Sequence, residues 1–400
     1  MKLTAPILSF TYMFALAAAW VKTYPNKMEP GMSADQIRTV SKKLNKGMRG
    51  FGTDEGALIN NFGDKKLPDR IAIAAQYQRD YRKTLESAFN GEVKGDFGRL
   101  LRLLSLPAPD AEAAMLFKSF ELLGTNELHL MQIVLGRENS ELKRLNGIYQ
   151  HRQKKSLKDA IKQDTSGLFQ EILVSCSSGD QEIFDFSVHN ETRVQEDVDK
   201  FQKATVDFHT GLVRGGTDEG YLIRILCKSP AQHLIAVHVA YHAKHGKWMA
   251  DVIKDETDGK FKRALLLQLN MQLKPADTIF EQFKATMSGG NTDKIGLFNL
   301  MVRYQPTLIS LFDKNDGGFS QNKIDKALRG FMNKKTLLGK LVMRVIVGGG
   351  RTPFQIEDIN KVKKIEEEET KEEIVEETEE ENKDKVSNNK IPKQIRKLMF

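Results

Sequence analysis

The 400-residue sequence predicts an all-α protein built from four repeats of about five helices each, on three observations. First, Gly-Thr-Asp-Glu-Gly occurs at 52–56 and again at 216–220, and an acid stands 40 positions after each first glycine: Glu92 and Glu256. Second, a weaker copy, Gly124-Thr125-Asn126-Glu127, has Asp164 at the same offset. The three acids also share their surroundings: Glu92-x-x-Gly95-x-Phe97, Asp164-x-x-Gly167-x-Phe169 and Glu256-x-x-Gly259-x-Phe261. Third, apolar residues recur at helical spacing, and no valine- or isoleucine-rich alternating run argues for a sheet. Self-similarity at such a period decides the architecture before any single element does.

The elements follow in chain order. Ser33-Ala34-Asp35-Gln36 has the form of a capping box and opens a helix. The stretch from Ile71 to Tyr81 reads as an amphipathic helix. Phe97, Leu100, Leu101 and Leu104 share one helical face, as do Phe261, Ala264 and Leu265. In each Gly-Thr-Asp-Glu turn the threonine is expected to cap the next helix, and the acids suit its positive end. A fourth, damaged unit begins at Met287-Ser288-Gly289-Gly290-Asn291-Thr292-Asp293. Asn291 takes the place of the second glycine, and Phe331 stands where the acid would be. The turns at 52, 124, 216 and 291 are spaced by 72, 92 and 75 residues. Two pairs of repeats joined by a longer linker result. The units are 33–106, 107–178, 197–273 and a divergent 274–350, with 179–196 as the linker.

The ends differ from this body. Residues 3–21 carry no charge, follow Lys2, and include Ala17-Ala18-Ala19 before Trp20. Residues 1–19 therefore read as a secretory signal peptide, and a mature chain beginning near Trp20 is expected. An uncleaved anchor or a soluble N-terminal segment are the alternatives; Thr4, Pro6, Ser9, Thr11 and Tyr12 make a poor membrane span. The segment 351–400 is an acidic low-complexity tail with a basic, apolar end. Residues 357–381 hold thirteen acids and four lysines, a net −9 in a chain of +8, so the remainder carries +17. The tail is expected to be disordered or a frayed helix, with binding of a protein partner as the second reading.

The repeated turn has its own chemistry. A glycine-rich loop frees backbone carbonyls to point inward, and calcium prefers oxygen ligands at flexible geometry. Carbonyls supply no formal charge, so a carboxylate elsewhere in the repeat would complete the shell. Positions left open can take a lipid phosphate, and a basic body adds attraction to anionic membranes. The bland reading, a turn that merely ends one helix and caps the next, does not explain an acid in register three times.

These residues resemble an annexin from about Ser33 to Gly350. The family's repeat signature continues with an apolar, a basic, a polar and an aromatic position. Val134, Arg137, Glu141 and Tyr149 fill them in the second repeat, and Phe62, Lys65, Asp69 and Tyr77 in the first. The third has Leu226, His233 and Tyr241 with Ser229 in the basic place, and the fourth keeps Arg303 one place out of register. The resemblance implies four repeats packed as a curved disc. It also implies calcium held by loop carbonyls and the downstream acid. In the first repeat these are Met48, Gly50 and Gly52 with Glu92, and in the third Gly211, Arg214 and Gly216 with Glu256. The second repeat, with Leu122, Gly124 and Asp164, lacks the first glycine and implies a weakened site; the fourth implies none.

The implied function is calcium-dependent binding to anionic phospholipid membranes such as phosphatidylserine, without catalysis and without a nucleic-acid partner. The alternative is an annexin-fold interaction or structural protein with weak or lost calcium-lipid binding. A peripheral membrane location is implied, extracellular if the signal is used and cytoplasmic otherwise; the signal departs from most annexins. Asp313-Lys314-Asn315-Asp316-Gly317 starts like an EF-hand loop, but Ile324 holds its twelfth position. His233, His238, His242 and His245 read as a solvated helix face more readily than as a zinc site. Cys176 and Cys227 read as buried thiols. Asn190-Glu191-Thr192 is a glycosylation sequon, usable on the secretory route.

Overall fold

Ser33 opens the first helix as a capping box: its hydroxyl accepts from the Gln36 N–H, and the Gln36 side chain accepts from the Ser33 N–H. The computed structural model describes residues 23–24, 29–50, 52–121, 126–209, 218–287, 293–313 and 337–347. Among these residues the regular elements are all helical. The first repeat comprises α1 (Ala34–Gly47), α2 (Glu55–Leu58), α3 (Leu67–Tyr81), α4 (Leu85–Glu92) and α5 (Gly95–Leu104). A π-helical turn, Ile59–Gly63, continues α2. The second has α6 (Ala108–Glu121), α7 (Glu127–Val134), α8 (Asn139–Gln153), α9 (Leu157–Asp164) and α10 (Gly167–Ser177). The third has α11 (Glu191–His209), α12 (Glu219–Lys228), α13 (Ala231–His245), α14 (Met249–Glu256) and α15 (Gly259–Leu273). The described part of the fourth holds α16 (Pro275–Met287), α17 (Lys294–Asp313) and α18 (Leu337–Val347). Five helices per unit therefore stand in each of the first three repeats.

Apolar faces at helical spacing converge on one large core, and Tyr24, Leu67 and Ala108 form a small second cluster. Leu44, Leu58, Phe62 and Phe89 are buried in the first repeat, with Phe62 and Phe89 edge to face at 5.5 Å. The repeats close on one another. Gly63, at the end of the π-turn, lies against α18: a Cβ there would meet Leu341 Cδ1 at 2.9 Å. Arg344 donates to Asn60 Oδ1 at 3.0 Å beside it. Arg303 of α17 is fully buried and donates to the carbonyls of Gln132 and, at 2.7 Å, Gly136, beyond the last turn of α7. A cation at the carbonyls of a helix's C-terminal end is the arrangement the helix dipole favours.

The second and third repeats are joined covalently. Cys176 of α10 and Cys227 of α12 form a disulfide with Cα atoms 4.7 Å apart, so the expectation of two free thiols is corrected. Both sulfurs are buried, as the apolar surroundings implied. Their meeting follows from the packing of α10 against α12, which a separation of 51 residues does not announce. The connection between these repeats is pinned too. Asn139 and Gln181 exchange hydrogen bonds of 2.7 and 2.8 Å, and the Glu182 N–H donates to the Lys228 carbonyl at 2.7 Å. Helix α11 begins at Glu191, inside the segment read as linker, and exposed Asn190 of the sequon caps it by accepting from the Arg193 N–H.

Thr23 and Tyr24 close a buried ion cluster. Arg137 donates to Glu112 at 2.6 Å and lies 3.6 Å from Glu141. Both N–H groups of 23 and 24 donate to Glu141 Oε1, at 2.7 and 3.2 Å, and the Tyr24 hydroxyl donates to Glu112. The Tyr24 ring also packs under the Arg137 and Arg144 guanidinium groups, at 5.3 and 5.8 Å. Buried charges persist only where paired and hydrogen-bonded in this way. The proposed signal segment, the tail and the EF-hand-like stretch beyond Asp313 lie outside the described residues.

Candidate functional site

Gly50 and Gly52 carry φ values of 110° and 84°, in the region that favours glycine, and a Cβ added at either would meet nothing within 4 Å. The loop needs glycine for its backbone path, and the space beside it is open. Met48 caps the end of α1 through its N–H, and the Asp54 N–H closes the loop by donating to the Gly47 carbonyl at 2.8 Å. Among the described residues, the carbonyls of Met48, Gly50 and Gly52 accept no hydrogen bond. The Thr53 hydroxyl donates to the backbone carbonyl of Glu92 at 3.2 Å, tying the loop to the last residue of α4. The carbonyls of Met48, Gly50 and Gly52, in a loop tied to the backbone of exposed Glu92, are hard oxygen donors of the kind calcium takes, and a carboxylate could join them. Among the described residues no group of three or more His, Cys, Asp or Glu side chains is gathered for a metal.

The same construction recurs. Glu92, Asp164 and Glu256 each end the fourth helix of a repeat. Each also acts electrostatically on the repeat's signature tyrosine. Burial first, and then Asp164, pushes the Tyr149 hydroxyl up to about 12. Tyr77 and Tyr241 are raised by burial first, with Glu92 and Glu256 adding to the shift. Glu256 differs from Glu92 in being buried, at 8% exposure. Gly211, Arg214 and Gly216 of the third loop, and Leu122 and Gly124 of the second, lie outside the described residues.

The capping expectation is corrected by one residue. Asp54, Asn126 and Asp218, each one place after the threonine position, are the N-caps and accept the N–H of Ala57, His129 and Tyr221 at 2.9, 3.2 and 2.8 Å. In the first repeat Thr53 instead donates to the Glu92 carbonyl. Asp293 of the fourth repeat accepts from the Gly296 N–H, and its own N–H donates to the Thr286 carbonyl at 2.9 Å, as Asp54 does to Gly47. Its carboxylate also meets His129 Nε2 of the second repeat at 3.0 Å. Burial pushes the Asp293 carboxyl up, but hydrogen bonds from His129 and Gly296 outweigh it and hold the group below the ordinary carboxylate range.

The histidines are not a solvated row. His233 is buried, with Nε2 2.8 Å from Asp197. Half-buried His238 and His242 stack on Trp248 at 4.8 and 3.7 Å, and His245 packs on Tyr241 at 4.7 Å. Trp248, just beyond α13, folds back over positions four apart on that helix. Burial, then His242 and Lys274, lowers the His238 pKa to about 4 against an opposing Asp251, so this ring stays neutral at pH 7.

Comparison with known proteins agrees with this construction. The family model described as Annexin matches residues 39–104, 110–176 and 202–267, which fall in the first three repeats. The chain is 30% identical over 262 residues to annexin A4 of Bos taurus, covering 66% of this chain and 80% of the relative. To annexin A13 of Homo sapiens it is 32% identical over 266 residues, covering 66% and 80%. Among solved structures it is similar to annexin III, with a TM-score of 0.71 at 27% identity over 82% of this chain and 99% of the other. A calcium-bound annexin (Sm)1 shares the fold with a TM-score of 0.64 at 20% identity, over 82% and 95%. The chain belongs to the annexin family.

Proposed function

We propose that this protein binds anionic phospholipid membranes in a calcium-dependent manner. The observation that carries the reading is the first-repeat loop: two glycines in conformations that favour glycine, three carbonyls that accept no hydrogen bond among the described residues, and a threonine that holds the loop to Glu92. The residues that would hold calcium are Met48, Gly50 and Gly52 with Glu92, and Gly211, Arg214 and Gly216 with Glu256. A weaker site would use Leu122, Gly124 and Asp164. Calcium would supply positive charge joining these oxygens to lipid phosphate. A net +17 outside residues 357–381 adds long-range attraction to the membrane. The calcium-bound state named for annexin (Sm)1 supports the same reading. The role is binding, not catalysis.

Co-sedimentation with phosphatidylserine vesicles, with and without calcium, tests the proposal. Glu92→Gln with Glu256→Gln should abolish most calcium-driven binding while the helical circular dichroism persists. Unchanged sedimentation of that double mutant would falsify the carbonyl–carboxylate site. A second reading, an annexin fold kept for contacts between proteins, is favoured by the fourth loop, where Asp293 serves an inter-repeat bond to His129.

No described helix is long and apolar enough to cross a membrane, and a peripheral attachment is proposed. The Cys176–Cys227 disulfide and the exposed sequon at Asn190 support passage through an oxidising, secretory compartment. N-terminal sequencing of protein from its native source should find a start near Trp20; an intact Met1 or Lys2 terminus in a soluble fraction would remove the secretion reading.

A further inference from the structure

A cavity of about 380 Å³ opens between the first, second and fourth repeats, among α4, α5, α6, α8 and α17. Leu106, Phe117, Ile295 and Phe298 contribute apolar lining. Five charged side chains also line it, and four are cations: Arg99, Arg102, Lys118 and Arg152 against Glu86. Arg152 is held by Asp110 at 3.1 Å. Arg99 stands 3.9 Å from Asp96, which is more closely bound to Lys294 at 2.8 Å. Among the described residues the Arg102 guanidinium makes no hydrogen bond or ion pair. Burial and the neighbouring Arg99 press it toward its neutral form, with Glu86 opposing. An unpaired, partly desolvated guanidinium on an apolar wall is a receptor for an anion that brings an apolar body with it.

We propose that this cavity binds a single-chain amphiphile with an anionic head, and that it does so without calcium. The chain lies against the apolar lining and the head meets Arg102, flanked by Arg99 and Lys118. The charge balance rejects cationic amphiphiles, and a neutral chain would leave Arg102 without a partner. The volume stands at the small end of ligand cavities, about 300–1,000 Å³, and so suits one acyl chain rather than two.

Isothermal titration of the full-length protein in EGTA tests this, with dodecanoate below its micelle concentration. Dodecan-1-ol and dodecyltrimethylammonium serve as neutral and cationic comparisons. One saturable site per chain is expected, with dodecanoate at least about tenfold tighter than either comparison. Arg102→Gln should weaken dodecanoate about tenfold, and Ala114→Phe, which fills the cavity, should abolish binding. Thermal melting checks that each variant is folded; if Ala114→Phe is not, Arg102→Gln decides. Equal affinity for all three chains, non-saturating uptake, or an unchanged Kd in folded Arg102→Gln overturns the proposal. Calcium-driven vesicle binding by Arg102→Gln should persist, so failure here is distinct from failure of the membrane reading.

Discussion

Thr53 is the residue on which the first loop turns. Its hydroxyl spans from the loop to the carbonyl of Glu92, 39 positions later in the chain. Thr53→Val keeps the shape of the side chain and removes that bond, at a cost of about 1 kcal/mol. The expected result is a higher calcium concentration for half-maximal vesicle binding, with Thr53→Ser restoring the parent value. A midpoint unchanged in Thr53→Val would show that the bond does not position Glu92. The 40-residue register pointed from the Gly52 loop to Glu92, because the same offset occurs in other repeats, and the Thr53 bond joins that loop to the Glu92 backbone. Which neighbour caps the next helix was not legible. Threonine and aspartate both cap, they are adjacent, and only the backbone path decides which oxygen faces the N–H groups. The role of Thr53 was hidden for the same reason.

Among elements, α10 and α12 show what helical spacing conveys and what it leaves out. Their apolar faces were readable as core, and Cys176 and Cys227 are indeed buried. The contact between them depends on how two repeats dock, which periodicity within each helix does not encode. A cross-link over 51 residues typically stabilises a fold by about 2–4 kcal/mol. Dithiothreitol should therefore lower the Tm of the parent protein. Cys176→Ser with Cys227→Ser should melt near the reduced parent and be insensitive to the reductant; a reductant effect of equal size in that variant would place it elsewhere. The π-turn at Ile59–Gly63 was likewise not legible, since α18 shapes it from the other end of the chain. The Trp248 stacking on His238 and His242 was not legible, because it reaches back across the end of α13.

Across the whole molecule, charge is divided more sharply than the net +8 indicates: −9 in residues 357–381 and +17 elsewhere. A tail of that charge can fold back on the basic body and compete with lipid. Exposed charges act over about 8 Å at physiological salt, so such shielding is strongest at low ionic strength. Deleting residues 361–400 should lower the calcium midpoint for vesicle binding, most at low salt and progressively less as salt is raised. An unchanged midpoint at low ionic strength would mean a tether that ignores the body. The four-repeat plan was legible at this scale from the turns at 52, 124, 216 and 291. The fourth unit was the least so, because Asn291 and Phe331 stand where the glycine and the acid would be.

The placement of Thr23 and Tyr24 sets a boundary for proteolytic trimming. A cut near Trp20 leaves intact both N–H donors to Glu141 and the hydroxyl that donates to Glu112. A cut after Tyr24 would remove three neutral donors from two buried carboxylates, leaving acceptor positions on Glu112 and Glu141 unfilled. Those two residues act as a ruler, dividing processing that the fold tolerates from processing that strips donors from its interior.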